Sequence, residues 1–396
     1  MQNESSPSLP EPDAPSAAHA ERVAAYIREK IAACGGTIGF AEFMQHALYA
    51  PGLGYYSAGT RKFGASGDFV TAPELTPVFA RCLAGQVAEV LERTGGGDVV
   101  EVGAGSGAMA VELLAALAAR GSSPERYRIL EVSAELRERQ RATLSQLDAA
   151  LLSRVEWLDA APGQPWRGAL VANEVADALP VERFRLGAGG VEAVGVVAAD
   201  DGFAFEWRPA GRELTAAVER RLADLPEGLE AGYESEACLL LRPWIAALAR
   251  QMQQGAMLFV DYGLARVHYY HPSRSGGSLC GFFRHRRVED VLSNPGLQDI
   301  TAWVDFTELA EAGAEAGLDV GGFSTQAHFL LAAGLERELA AAGEGLDAVG
   351  RARLAQAAST LVMPGEMGER FKVMALTRGV DEPLSGFAFR DLAATL

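Results

Sequence analysis

Short apolar runs at residues 98–102, 127–132, 168–172 and 257–260 are separated by stretches in which apolar residues recur at helical spacing. A strand covered on both faces reads as an unbroken apolar run, and its alternation with helices calls for crossover connections and a parallel sheet. The pattern predicts an α/β fold with a doubly wound, Rossmann-like sheet. Ligands of such sheets sit beyond the carboxyl ends of the strands.

At 396 residues the chain is longer than one apolar core comfortably fills, so one main domain with additions is expected. Residues 1–18 are rich in Ser, Pro and acids and are expected to be a disordered tail. Residues 19–96 are expected to form an N-terminal helical cap carrying a shaped loop at Gly67-Asp68-Phe69. The main domain is placed at residues 97–380, with insertions at about 181–250 and 264–307, and residues 381–396 are read as a C-terminal tail.

Charge and special residues exclude several function classes. The 35 Lys plus Arg against 52 Asp plus Glu give a net charge of −17, which repels nucleic acid and anionic membrane and suits a cationic partner. Cys34, Cys82, Cys238 and Cys280 form no CxxC pair, and His268, His271 and His285 are unevenly spaced, so no metal site is expected. The chain has no apolar run of about 18 residues and no basic start followed by an apolar stretch, which leads to the expectation of a cytoplasmic protein.

The segment Glu101-Val102-Gly103-Ala104-Gly105-Ser106-Gly107 follows an apolar run and precedes a helical stretch. Glycines at such a bend let the backbone approach a nucleotide closely, and the following helix start offers free N–H groups. Gly103, Gly105 and Ala108 also satisfy the dinucleotide pattern, so an NAD-dependent oxidoreductase is a competing reading. Against it, Glu101 lies two residues before the first glycine, where an acid suits the ammonium end of S-adenosylmethionine better than a pyrophosphate.

Glu131 ends the second run, where an acid binds ribose hydroxyls in either cofactor class. Asp159 is either an acceptor for the adenine amino group or a turn acid ahead of Pro162. Asn173 and Glu174 follow the third run and are expected beside the sulfonium, with Asp177 close by. Carboxylates there can hold a guanidinium or amine in line with a methyl carbon.

The motifs together resemble the MidA group of class I methyltransferases, which includes a mitochondrial complex I assembly factor. The resemblance runs from about residue 38 onward. It rests on Phe40-Ala41-Glu42-Phe43-Met44 with Tyr49, on Gly54-Tyr55-Tyr56, and on Gly67-Asp68-Phe69 with Thr71-Ala72-Pro73-Glu74. It continues through the Glu101 to Gly107 loop, Ser133 with Leu136-Arg137 and Gln140, and Asn173-Glu174 with Asp177-Ala178-Leu179-Pro180. Asp261-Tyr262-Gly263, Asp299-Ile300-Thr301-Ala302 with Val304-Asp305-Phe306, and Pro364-Gly365-Glu366-Met367-Gly368 leading to Phe371-Lys372-Val373 complete it.

The resemblance implies a seven-stranded, mostly parallel methyltransferase sheet, S-adenosylmethionine as cofactor, and methylation of a protein arginine, with a respiratory complex subunit as a possible partner. It assigns the cofactor to Thr71, Pro73, Glu74 and Ser133 besides Glu101, Gly103, Gly105, Ser106, Gly107, Glu131, Asp159 and Asn173. Glu174, Asp177 and Asp68 are the candidate catalytic residues, with Gly67-Asp68-Phe69 expected to fold over the cofactor as a lid; Asp261 and Tyr262, at a strand end on the crevice side, either line the substrate pocket or form an ordinary strand-ending turn. Two departures stand out: Val175 and Ala176 replace two aromatics usual in the family, and the N-terminus lacks a presequence pattern. A protein that binds the cofactor but acts as an assembly chaperone is the competing reading outside catalysis.

Overall fold

The structure is a computed structural model that describes residues 11–58, 71–226 and 228–396. After a short strand β1 (Thr37–Gly39), the chain enters its main sheet with β2 (Asp98–Val102), β3 (Tyr127–Leu130), β4 (Val155–Leu158) and β5 (Trp166–Asn173). It leaves that sheet for β6 (Glu182–Gly187), β7 (Gly190–Ala199), β8 (Gly202–Pro209) and β9 (Glu234–Ala237), and returns with β10 (Met252–Leu264). A small ribbon, β11 (Cys280–Phe283), β12 (Arg286–Val288) and β13 (Asp299–Thr301), precedes β14 (Val304–Asp305), β15 (Asp319–Thr325) and β16 (Phe371–Arg378).

Among the described residues the main sheet has eight strands in a mixed arrangement. Seven follow the order β15-β16-β10-β5-β2-β3-β4, and β14 pairs with the end of β10 as the eighth. The expectation of seven strands misses β14, whose two residues are too few to leave a pattern in the sequence. The pairs from β10 through β5, β2 and β3 to β4 are parallel, and both pairs made by β16 are antiparallel.

Every residue of β2 is buried, and alternate residues of its neighbours serve opposite faces. Val99, Val171 and Leu258 face one side, packed by α4 (Pro77–Arg93) and α5 (Ala108–Ala119). Val100, Leu170 and Phe259 face the other, covered by the helices Leu241–Ala249 and Phe306–Glu315. From β2 the chain steps outward to β3 and β4, then crosses to β5 on the other side of β2. That reversal opens a crevice between the carboxyl ends of β2 and β5.

A second, antiparallel sheet is ordered β1-β7-β6-β9, with β8 on β7. The helices α1 (Ala14–Ala33) and α2 (Phe40–Tyr49) bury Val23, Ile27, Phe43 and Met44 against Val194 and Val196 of this sheet. The expected cap and the first expected insertion are therefore partners in one layer. That insertion ends before residue 241, because Leu241, Ile245 and Leu248 return to the main core rather than to the second sheet.

The tail expected to reach residue 18 gives way to α1 at Ala14, where the Asp13 side chain accepts from Ser16 N at 2.9 Å. At the other end, residues 381–396 are docked rather than free. Leu384 and Phe387 are buried in the main core, and Leu392 N donates to Phe323 O at 2.6 Å. Their sparse apolar residues carry no period to announce this. Among the described residues, no helix is long and apolar enough to cross a membrane.

Candidate active site

The glycine bend joins β2 to α5 at the crevice. Gly103, Gly105 and Gly107 have φ of 66°, 52° and 85°, a left-handed backbone that side chains rarely tolerate. A Cβ on Gly103 would stand 3.0 Å from Val175 Cγ2, so the bend and the end of β5 touch through the space a side chain would fill. Gly107 is the N-cap of α5.

Glu101 is fully buried on β2. Its Oε2 accepts from the Tyr127 hydroxyl at 2.5 Å and its Oε1 has no partner. Burial outweighs that hydrogen bond and pushes the carboxyl up to about 7. Glu131, just past β3, accepts from Ser133 N at 2.9 Å and Gln140 Nε2 at 3.0 Å, and burial raises it despite both. Gln140 Nε2 also donates to Gly105 O at 3.1 Å, tying the bend to α6 (Ala134–Leu144).

Past β5 the chain turns sharply. Glu174 takes φ 53°, unusual for a side-chain-bearing residue, and its Oε1 accepts from Asn173 Nδ2 at 3.2 Å and Ala72 N at 3.3 Å. Burial, and then the neighbouring Asp177, lift its carboxyl to about 8. The helical turn α3 (Ala72–Leu75) thus leans on Glu174, while its Glu74 accepts from Ser106 Oγ at 2.5 Å.

These groups surround a cavity of about 590 Å³, within the range of small-molecule sites. Thr71, Pro73, Glu74, Glu101, Gly103, Gly105, Ser106, Glu131, Asp159, Asn173 and Glu174 all line it. Asp159 sits at the rim with its side chain exposed and paired to Arg137 Nη2 at 2.7 Å. The wall thus carries five carboxylates, and no Lys, Arg or His among the described residues.

Some expected residues are elsewhere. Gly107 is turned to α6, where a Cβ would lie 3.3 Å from Gln140 Cα. Ser133 caps α6, accepting from Leu136 N at 3.3 Å. Asp177 is buried behind the wall, where its Oδ2 accepts from the Tyr262 hydroxyl and from Thr301 Oγ1 at 2.8 Å; burial raises it. Asp261 and Tyr262 do not line the cavity either, since both are committed to the turn at residues 174–177. Asp68 and the proposed lid lie outside the described residues.

Reasoning from sequence missed Gln45, Tyr49, Tyr56, Val132, Leu240 and Trp244 on the wall. Tyr49 donates to Ala178 O at 2.9 Å and Tyr56 to Asp299 Oδ1 at 2.7 Å, and their rings stack with centroids 5.5 Å apart. The motifs holding both tyrosines were visible, but nothing local says that Tyr49 meets the turn after β5 and Tyr56 the strand β13, each more than 120 residues away. Val132 is 70% exposed, an apolar side chain left without cover beside the cavity.

A bound S-adenosylmethionine carries a sulfonium and an ammonium, and the residues present fit it. A wall of carboxyl groups with no cationic side chain among the described residues, a side-chain-free bend and the unpartnered buried oxygens Glu101 Oε1 and Asn173 Oδ1 leave acceptors open to such cations. Comparison with known proteins gives the same cofactor. A family model of S-adenosyl-L-methionine-dependent methyltransferases matches residues 82–324. The chain belongs to this family.

This methyltransferase is similar over 98% of its length to a COG1565 superfamily member from Burkholderia thailandensis bound to S-adenosyl-homocysteine. That crystal structure is covered completely, with a TM-score of 0.92 and 43% identity. It is also 28% identical to the zebrafish (Danio rerio) "Protein arginine methyltransferase NDUFAF7, mitochondrial", covering 89% of this chain and 86% of the relative. The human protein of that name is 26% identical, over 86% of this chain and 80% of its own. The cofactor is therefore S-adenosylmethionine, and the dinucleotide reading falls.

The expectation of a cytoplasmic location is overturned by these relatives, which are named as mitochondrial proteins. It rested on the lack of a long apolar run and of a basic start followed by an apolar stretch, and missing patterns are no evidence of destination. Among the described residues no group of three or more His, Cys, Asp or Glu could hold a metal ion.

Proposed function

We propose that this methyltransferase transfers a methyl group to a guanidinium nitrogen of arginine in a protein substrate, with Glu174 as the carboxylate that receives the guanidinium. The observation that carries the reading is the cavity wall, which presents Glu74, Glu101, Glu131, Asp159 and Glu174 and no cationic side chain among the described residues. Such a wall selects cations twice, once for the cofactor and once for the acceptor. The relatives' name as protein arginine methyltransferases supports the same acceptor. The MidA resemblance further implies a respiratory complex subunit as the protein that bears it.

When bound, the cofactor supplies an electrophilic methyl group. Glu101 and Asn173 would offer their unpartnered oxygens to its cationic end, the glycine bend would leave room for it, and Glu131 would accept from its ribose hydroxyls. A guanidinium stays charged at any ordinary pH, so it needs orientation and a place for its departing proton. An arriving cation lowers the Glu174 carboxyl from about 8, leaving a carboxylate that holds the guanidinium and then accepts the proton shed by the newly substituted nitrogen. Asp177 acts from behind, through the turn that carries Glu174.

The test is isotope-labelled methyl transfer into a protein extract, read by mass spectrometry, with wild type and Glu174→Gln. The glutamine keeps an acceptor for Ala72 N but cannot take a proton. We expect label on arginine, unchanged affinity for S-adenosylhomocysteine, and turnover lower by about a hundredfold in the variant. Wild-type turnover in Glu174→Gln, or label on residues other than arginine, would refute the proposal. An unlabelled extract would favour an assembly role.

A further inference from the structure

Glu174 holds a left-handed backbone, φ 53°, that a glutamate does not choose freely, so something must impose it. Its own N–H donates to Val260 O at 2.8 Å, continuing the β5–β10 ladder by one residue. The next three N–H groups all turn to one atom. Asp261 Oδ2 accepts from Val175 N at 3.2 Å, Ala176 N at 3.0 Å and Asp177 N at 3.2 Å. The other oxygen, Oδ1, accepts from Tyr262 N at 2.9 Å. Asp261 is 2% exposed and does not line the cavity.

One carboxyl oxygen thus gathers three successive amides in a nest of backbone donors, and these bonds pull against the burial and the Asp177 and Glu174 carboxyls that push Asp261 well above the usual carboxylate range. The far end of the turn is pinned as well: Ala302 N donates to Asp177 O at 3.1 Å, and Thr301 Oγ1 and the Tyr262 hydroxyl donate to Asp177 Oδ2. Of the carboxyl side chains at this turn, Glu174 alone is left on the cavity wall, bonded to Asn173 and to Ala72.

We propose that Asp261 is a positioning residue for methyl transfer: by gathering the amides of residues 175–177 it forces the left-handed bend at Glu174 and aims that carboxylate at the acceptor. The inference rests on the reading of Glu174 as the acceptor-facing carboxylate. It assigns Asp261 no contact with cofactor or acceptor. It also explains why the chain spends a buried aspartate where β10 leaves the sheet.

The experiment compares wild type with Asp261→Asn and Asp261→Glu, each saturated with S-adenosylhomocysteine, by hydrogen exchange at the amides of Val175, Ala176 and Asp177. Methyl transfer into a protein extract is measured alongside. In Asp261→Asn we expect those amides to exchange at least about tenfold faster, kcat to fall about tenfold or more, and KM for S-adenosylmethionine to stay within about twofold, because Asp261 bonds none of the residues assigned to the cofactor. Asp261→Glu, which keeps the carboxyl group, should restore part of the protection. Wild-type exchange and kcat in Asp261→Asn would overturn the proposal, as would a kcat loss matched by an equal loss of cofactor affinity. Should Asp261→Asn not fold, the wild type decides: slow exchange at the three amides supports the anchor, and exchange at the rate of an open loop sinks it. If wild type labels no arginine while the three amides remain protected, the acceptor reading fails and the anchor stands.

Discussion

Glu101, proposed above to meet the cofactor's charge, has one oxygen held by Tyr127 and one without a partner. Without a cation burial keeps its carboxyl near 7, so below that pH a proton must leave before a cationic ligand can bind. The affinity for S-adenosylmethionine should therefore rise with pH up to about 7 and level off above it, at most about tenfold per pH unit. Calorimetry in buffers of different ionisation enthalpy would detect the released proton, and Glu101→Gln should bind weakly at every pH with the slope gone. A flat profile in wild type would contradict this assignment. Gly103 offers a second test at the same scale. Alanine there meets Val175 Cγ2 at 3.0 Å from a backbone at φ 66°, so Gly103→Ala should weaken cofactor binding by tenfold or more, roughly 1–2 kcal/mol. Glu101 and the glycines were legible in the sequence because a strand-end acid and a turn of positive φ are local features. Val132 and the two tyrosines were not, because exposure beside a cavity is no property of a neighbouring residue.

At the level of elements, the site depends on helices fixed by charges far from it. Glu308, on the helix Phe306–Glu315, is almost fully buried and accepts from Arg221 Nη2 at 2.7 Å, Arg242 Nε at 2.6 Å and Arg266 Nη2 at 3.1 Å. Arg242 rides on the helix Leu241–Ala249, whose Leu248 and Trp244 line the cavity. Removing one member of a buried ionic cluster leaves the rest uncompensated. Glu308→Gln should therefore destabilise the protein by about 3–5 kcal/mol in urea unfolding, and a loss below about 1 kcal/mol would show the cluster to be dispensable. The parallel strands could be read in advance, since fully buried strands are apolar throughout. The boundary of the first insertion could not, because the helix Leu241–Ala249 looks the same in sequence whether it packs on the main sheet or on the second one.

Over the whole molecule, Glu101 and Glu174 have the same linkage sign. Their carboxyls are raised in the folded protein, so their contribution to stability is complete below about pH 4.5 and is lost as pH rises through about 7 and about 8. The cofactor-free protein should lose on the order of a few kcal/mol between pH 5 and pH 8, and saturating S-adenosylmethionine should offset that loss by binding only the folded form. Thermal unfolding across this range, with and without ligand, checks both halves. A melting temperature that rises with pH in the free protein would rule out the buried, unpaired carboxylates described above.

The sequence by itself determined the Rossmann-like core and the glycine bend, because periodicity and permitted φ are set within a few residues. Only the tertiary structure decided which acids line the cavity. Glu74, Glu101, Glu131 and Glu174 reach one wall while Asp177 and Asp261 are held behind it, and that division arises when distant strand ends close on each other and exclude water. Burial of that kind shifts a carboxyl by several pH units, and no spacing of residues along a chain encodes it.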